Sequence, residues 1–207
     1  MCRKSPFELV ERGKFFHGSV RMNSVVRVRN DQPSTYGWRN KAGRALWGVV
    51  WALGFRLSPR VCHGWRRFLL GLFGAKLSPT ARVSNSVVIW APWNLVMDDS
   101  AEIGPNVDCY SVATVHIGAH ATVSQYCYLC AGGRDTSAPN FGPTKAPITI
   151  ADQAWLGADV FVGPGVTVGQ GAVVGARAAV FADVPPWTIS SGNPVQVVGR
   201  RQIADSR

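Results

Sequence analysis

Residues 150 to 184 read IADQAWLGADVFVGPGVTVGQGAVVGARAAVFADV. An aliphatic residue returns at every sixth position, at Ile150, Leu156, Val162, Val168, Val174 and Val180. A small or β-branched companion follows four places after each, at Ala154, Val160, Val166, Ala172, Ala178 and Val184. A helix face repeats about every 3.6 residues and a half-buried strand about every 2, so a sustained period of six describes short strands joined by tight turns and wound as a solenoid. The aliphatics fill its interior, and the companions fit where its wall bends. Glycine usually follows the aliphatic, as at Gly157, Gly163, Gly169 and Gly175, where it tolerates the backbone angles of a corner and lets coils approach. These glycines read as structural rather than as a phosphate loop.

The register extends towards the N-terminus through Ile117, Val123 and Leu129, through Met97 and Ile103, and through Leu77, Val83 and Ile89. Insertions near Leu95 and Ala113 each shift its phase by two residues. Asp135 to Thr149 is a fifteen-residue departure rich in Pro, Gly and Asn, and a long loop leaving a rigid scaffold points to function. Pro185, Pro186, Gly192 and Pro194 then end the repeat ahead of a basic tail with Arg200 and Arg201. The expected organisation is a flexible basic arm over 1–35, a basic and aromatic helical element over 36–76, an all-β parallel β-helix over 77–184 with an extruded loop at 135–149, and a cap and tail over 185–207.

The 207 residues carry a net charge of +10, unevenly placed. Residues 1–76 hold fifteen Lys and Arg against three Asp and Glu, or +12, whereas residues 77–207 hold seven against nine, or −2. Within the basic part, Trp38, Trp47, Trp51 and Trp65 lie among Arg39, Arg44, Arg56, Arg66 and Arg67, a mixture that suits an anionic membrane surface better than nucleic acid. Uncharged apolar runs of eleven residues at 45–55 and eight at 68–75 fall short of the about 20 that span a bilayer. They describe two short helices, either lying in a membrane interface or packed as a hairpin over the solenoid's end. Glu8 and Glu11 interrupt any secretory pattern, so the chain is expected in the cytoplasm, peripheral at the inner face of the membrane if the helices dock there. The five cysteines, Cys2, Cys62, Cys109, Cys127 and Cys130, form no disulfide framework. Cys127 and Cys130 make a C-x-x-C, but Cys127 holds a companion position and no second pair is present for zinc, so both read as packing and no metal is expected.

Several segments together carry a resemblance: RALWGVVWALGFRLSPRVCHGWRRFLLGLFGAK from Arg44 to Lys76, Ala91-Pro-Trp-Asn-Leu95, Ser124-Gln125 with Leu129-Cys130, Pro164-Gly-Val-Thr-Val168 and Gly192-Asn-Pro194. Over about residues 38–200 the chain resembles the hexapeptide-repeat acyltransferases, and within them the colanic-acid biosynthesis acetyltransferase family. The resemblance implies a left-handed parallel β-helix of three hexads per coil, an exception to the right-handed crossover rule. It also implies a homotrimer with active sites between subunits and acetyl-CoA along the groove. By the same resemblance Trp155 faces the acetyl-pantetheine region, Ala158, Ala176 and Arg177 border the cofactor, and Arg200 or Arg201 meets its phosphates. Asn94 either orients an acceptor hydroxyl or serves only the backbone of a corner.

Family members acetylate a sugar hydroxyl directly, with a histidine at the mouth of the loop taking the hydroxyl proton and backbone N–H groups stabilising the oxyanion. The family segment runs roughly Leu-Cys-Thr-Gly-Ser-His-Asp. Here it runs Leu129-Cys130-Ala131-Gly132-Gly133-Arg134-Asp135, and the arginine in the histidine's place stays protonated and cannot accept that proton. His116 lies eighteen residues before Arg134, which is three hexads. The two are therefore expected to stack on adjacent coils about 4.8 Å apart. His116 then either acts as the base, kept neutral by Arg134, or is an exposed histidine on a coil with no role. Asp135 is the next candidate. The leading expectation is an acetyl-CoA-dependent O-acetyltransferase acting on a sugar of an exopolysaccharide or its lipid-linked precursor. The alternative is a catalytically silent relative that binds CoA or serves as an assembly partner. A metal-dependent lyase on the same scaffold needs three histidines, whereas only His116 and His120 fall inside the repeat.

Overall fold

The hexad aliphatics of the quoted stretch point inward: Ile150, Leu156, Val162, Val168, Val174 and Val180 are fully buried, and their companions are buried beside them. The computed structural model describes residues 37–138 and 140–203. The arm expected over 1–35, with Cys2, Glu8, Glu11 and His17, lies outside the described residues, as do the last four of the tail.

Short strands build the wall in threes. The first coil is β1 (Lys76–Leu77), β2 (Arg82–Val83) and β3 (Val88–Ile89), and the second is β4 (Leu95–Met97), β5 (Glu102–Ile103) and β6 (Asp108–Tyr110). The third is β7 (Val115–Ile117), β8 (Thr122–Val123) and β9 (Tyr128–Cys130). After a hairpin of β10 (Gly132–Arg134) and β11 (Pro143–Lys145), the fourth coil is β12 (Ile148–Ile150), β13 (Trp155–Leu156) and β14 (Phe161–Val162). The fifth is β15 (Thr167–Val168), β16 (Val173–Val174) and β17 (Ala179–Val180), and β18 (Thr188–Ser191) and β19 (Gln196–Arg200) follow. Stacking in parallel gives three flat faces: face A is β1-β4-β7-β12-β15, face B is β2-β5-β8-β13-β16-β18-β19, and face C is β3-β6-β9-β14-β17. The result is a left-handed parallel β-helix, triangular in section, with corners AB, BC and CA.

Three sequence expectations change here. The glycines after the hexad aliphatics do not occupy the left-handed region. That conformation falls on other turn residues, including His120, Gln153, Asp159 and Arg177, with φ between 58° and 61°. Gly157 is required by close approach instead, since a Cβ there would lie 2.7 Å from the backbone nitrogen of Ala176 on the next coil. The departure at the loop starts earlier and ends earlier than 135–149. Gly132 pairs with Lys145 and Arg134 with Pro143, while Thr149 is already in the ladder against His116 and Thr167. Finally, the proline-rich end is not only turns, because β18 extends face B in parallel on β16 and β19 then reverses to close it.

The N-terminal helices, α1 (Trp38–Val50) and α2 (His63–Leu72), are joined through a π-helical turn at Trp51–Phe55 and a short loop. Their inward side closes the open end of the solenoid, and the reason is hydrogen-bond accounting. In the second coil the carbonyls of Ala101, Ile103, Val107 and Cys109 accept backbone N–H groups from the first coil. The first coil has no predecessor, so its equivalent carbonyls would be orphaned. Ala81 accepts from Arg67 at 2.8 Å, Val83 from Arg66 at 2.7 Å, Val87 from Trp51 at 2.8 Å and Ile89 from Trp47 at 2.7 Å. The Trp and Arg residues of this element are thus side-chain substitutes for a missing strand layer.

Candidate active site

Trp155 is the outward residue of β13 on face B, between Thr122 below and Val173 above. Its indole is half exposed, and Nε1 donates at 3.0 Å to Ser124 Oγ, on the turn that leaves β8 at corner BC. The turn after it carries Ala158, whose carbonyl accepts from the Arg177 N–H at 2.9 Å. Ala176 and Arg177 stand above it on the same corner. Both are exposed, and the Arg177 guanidinium lies 3.5 Å from Asp159. Indole, small side chains and an exposed guanidinium therefore share one corner. Arg200 is exposed on β19, whereas Arg201 is engaged, donating to the carbonyls of Gln153 at 2.8 Å and Gly171 at 3.0 Å on corner AB.

The remaining site residues lie elsewhere. Asn94 sits on corner CA and donates to the Ser111 carbonyl at 2.8 Å, so its amide ties one coil to the next. Arg134 and Asp135 belong to the hairpin leaving the same corner. The Arg134 guanidinium donates to the Phe141 carbonyl at 3.2 Å, and Asp135 accepts from the N–H groups of Ser137 and Ala138 at 2.9 and 3.2 Å.

His116 does not stack on Arg134. The chain leaves the wall at corner CA before reaching the next layer of face A, so the residue above His116 is Thr149 and the one below is Val96. Among the described residues no guanidinium occupies the wall position above or below that imidazole. Asp98 stands beside it instead, with its Oδ2 2.7 Å from His116 Nε2. The sequence reading missed Asp98. The signal was the spacing of eighteen read in the other direction, because the insertion near Ala113 lengthens that coil and brings the turn after β4 under the imidazole. In the tautomer whose Nε2–H donates to the carboxylate, Nδ1 is left as the acceptor. A groove of about 670 Å³, lined by Lys76, Val96, Asp98, Asp99 and Asp152 among others, opens on the Asp98 side.

The other described histidines are differently placed. His120 is an exposed turn residue, and burial together with the adjacent Arg66 lowers the affinity of His63 for a proton. Cys127 is buried and donates to the Gly157 carbonyl at 3.1 Å. Among the described residues no three His, Cys, Asp or Glu are grouped to hold a metal ion.

Corner BC, with Trp155 and Arg177, and corner CA, with the hairpin, are opposite edges of face C. One chain does not bring its cofactor candidates and its loop together.

No protein-family profile matches the sequence. A protein named as the colanic acid biosynthesis acetyltransferase WcaF of Escherichia coli (strain K12) is 44% identical over 156 residues, covering 75% of this chain and 86% of that protein. The chain belongs to the colanic-acid biosynthesis acetyltransferase family. The protein of that name from Shigella flexneri matches to the same extent. This family membership makes the chain an acyltransferase. Solved structures bear on the fold alone. A maltose O-acetyltransferase from Clostridium difficile 630 superposes with a TM-score of 0.72 at 20% identity, covering 81% of this chain and 90% of that one. A hexapeptide-repeat acetyltransferase from Vibrio cholerae, solved with acetyl-CoA, superposes with a TM-score of 0.73 at 22% identity, covering 84% and 95%.

Proposed function

We propose that this chain transfers the acetyl group of acetyl-CoA to a sugar hydroxyl in exopolysaccharide biosynthesis, at sites formed between the copies of a homotrimer. The observation that carries the reading is the 44% identity with a relative named as a colanic acid biosynthesis acetyltransferase. The separation of corners BC and CA supports an intersubunit site, since a neighbour's hairpin can meet the Trp155 corner. Face C supplies the surface that such packing would bury, a ladder of Tyr128, Phe161 and Phe181 with ring centroids 5.6 and 5.3 Å apart.

In this reading the indole of Trp155 flanks the acetyl-pantetheine arm, Ala158 and Ala176 leave room beside it, and Arg177 and Arg200 meet phosphates. Arg201 is already committed to backbone carbonyls and contributes only through its neighbour. His116 takes the acceptor's hydroxyl proton at Nδ1 as the oxygen bonds to the acetyl carbon. It returns that proton to the sulfur as the C–S bond breaks, giving the acetyl ester and CoA. Asp98 holds the ring and offsets the transient imidazolium charge. A lipid-linked acceptor agrees with a peripheral membrane contact through residues 36–76, at the cytoplasmic face.

A second reading, a silent relative that retains CoA binding or assembly, is favoured by Arg134 standing in the family histidine's place. Incubating the protein with acetyl-CoA and a panel of sugars, with free thiol and acetyl ester both measured, separates the two. Ester formation supports the first, and CoA binding without ester supports the second.

A further inference from the structure

The capping helices have two apolar sides. The inner side of α1 buries Trp47, and that of α2 buries Arg66, Leu69 and Leu70 against the first coil. On the outer side Leu46, Val49 and Leu53 recur at helical spacing, as do Trp65, Phe68 and Leu72, and all six are exposed. Leu57 and Val61 in the connecting loop are 73% and 83% exposed. Trp65 joins the two stripes, because its Nε1 donates to the Gly54 carbonyl at 2.9 Å and its ring stacks on Phe68 at 5.8 Å. An apolar surface of this extent on one face marks a docking site.

Its chemistry selects the occupant. Residues 37–76 contain no Asp or Glu. Arg39 precedes Leu46 by seven residues, two helical turns, and so borders the outer stripe. Arg56 follows the π-helical turn with its guanidinium 5.3 Å over the Trp51 ring, next to Leu57, and Arg60 adjoins Val61; all three arginines are exposed. No helix of the described chain is long and apolar enough to cross a membrane. Short helices with an apolar outer stripe, exposed indoles and a purely cationic rim fit the plane of an anionic bilayer surface.

We propose that the outer face of α1 and α2 docks on anionic lipid, with Leu46, Leu53, Leu57, Val61, Trp65 and Phe68 in the interface and Arg39, Arg56 and Arg60 on the headgroups. This gives the peripheral contact its surface and rests on that part of the functional reading. The solenoid then stands away from the bilayer, with its capped end down and its corners open to an acceptor held at the membrane.

The test is sedimentation of the full chain with vesicles, read without turnover, so that its failure is distinct from failure of acetyl transfer. Binding is expected to phosphatidylglycerol-containing vesicles, weaker in salt, and not to pure phosphatidylcholine. Each of Arg39→Gln, Arg56→Gln and Arg60→Gln should weaken it about fivefold. Leu53→Asp with Phe68→Asp should weaken it by about tenfold or more while circular dichroism stays unchanged. Quenching of tryptophan fluorescence by brominated lipid, reduced in Trp65→Phe, keeps the test independent of the folding of that double variant. Binding that ignores anionic lipid, or no binding at all, overturns the proposal. So does a fall in oligomeric mass on Leu53→Asp without any vesicle binding, which would assign the face to a second copy.

Discussion

His116 and Asp98, on neighbouring coils, meet at 2.7 Å between Nε2 and Oδ2, and they are the one imidazole–carboxylate contact among the described residues. A carboxylate on one ring nitrogen fixes which nitrogen accepts a proton, which is what a general base requires. Asp98→Asn keeps the shape and removes the charge. It should lower kcat by about 10-fold to 100-fold, part of the 10² to 10⁴ attributed to general-base assistance, while KM for acetyl-CoA stays unchanged. Steady-state kinetics with acetyl-CoA varied checks the split.

The coil contacts predict opposite signs for two glycine substitutions. Gly157→Ala places a Cβ 2.7 Å from the Ala176 nitrogen and should destabilise the fold by about 1–3 kcal/mol. Gly48, inside α1, has nothing within 4 Å of its missing Cβ, so Gly48→Ala should stabilise by about 0.5–1 kcal/mol. Thermal melting of the two variants against the native chain reads the difference.

Arg66 is fully buried, and its guanidinium donates to Val83 and Pro59 carbonyls at 2.7 Å, to Ser58 Oγ at 2.9 Å and to the Arg60 carbonyl at 2.7 Å. Lysine cannot reproduce that fork, so Arg66→Lys should cost about 2–3 kcal/mol by leaving carbonyls unpaired. His63 beside it is driven neutral by burial and by Arg66, with a proton affinity below the ordinary 6.5. The unfolded chain binds that proton more readily, so this contribution is present above pH 6.5 and is lost as pH falls below it. Denaturant titrations across that range should show the cap loosening, and His63→Gln should flatten the slope.

Burial, then the neighbouring Asp108, pushes the Cys109 thiol up to about 12, and burial pushes Cys127 up to about 11. The unfolded chain loses these protons from about pH 9, so stability should fall as pH rises from 9 towards 12. Cys109→Val, an apolar side chain at a hexad aliphatic position, should reduce that loss. Denaturant midpoints at pH 8 and pH 10 would show it, taking about one unit on either side of the free thiol value.

The hexad core was legible because every hexad aliphatic, at Ile150, Leu156, Val162, Val168, Val174 and Val180, faces the same interior, whatever the turns between them do. The partners of His116 were not legible, because coil length varies. Thr149 and Thr167 are eighteen residues apart, but Val96 and His116 are twenty apart, and the hairpin widens His116 to Thr149 to thirty-three. A fixed step of eighteen therefore pointed to Arg134, which left the wall with the hairpin. The Trp and Arg residues from Trp47 to Arg67 were ambiguous for a different reason. Their inner side replaces backbone donors and their outer side is apolar, and composition alone does not separate the two.

The decisive measurement is acetyl transfer to a sugar panel by the native protein, by His116→Ala and by Arg134→His, with CoA affinity measured alongside. Native turnover is expected, with a loss of about 10² to 10⁴ in kcat for His116→Ala at unchanged CoA affinity, and no gain for Arg134→His. Normal turnover by His116→Ala, or a native protein that binds CoA without transfer and gains activity as Arg134→His, would contradict the assignment of His116 as the base.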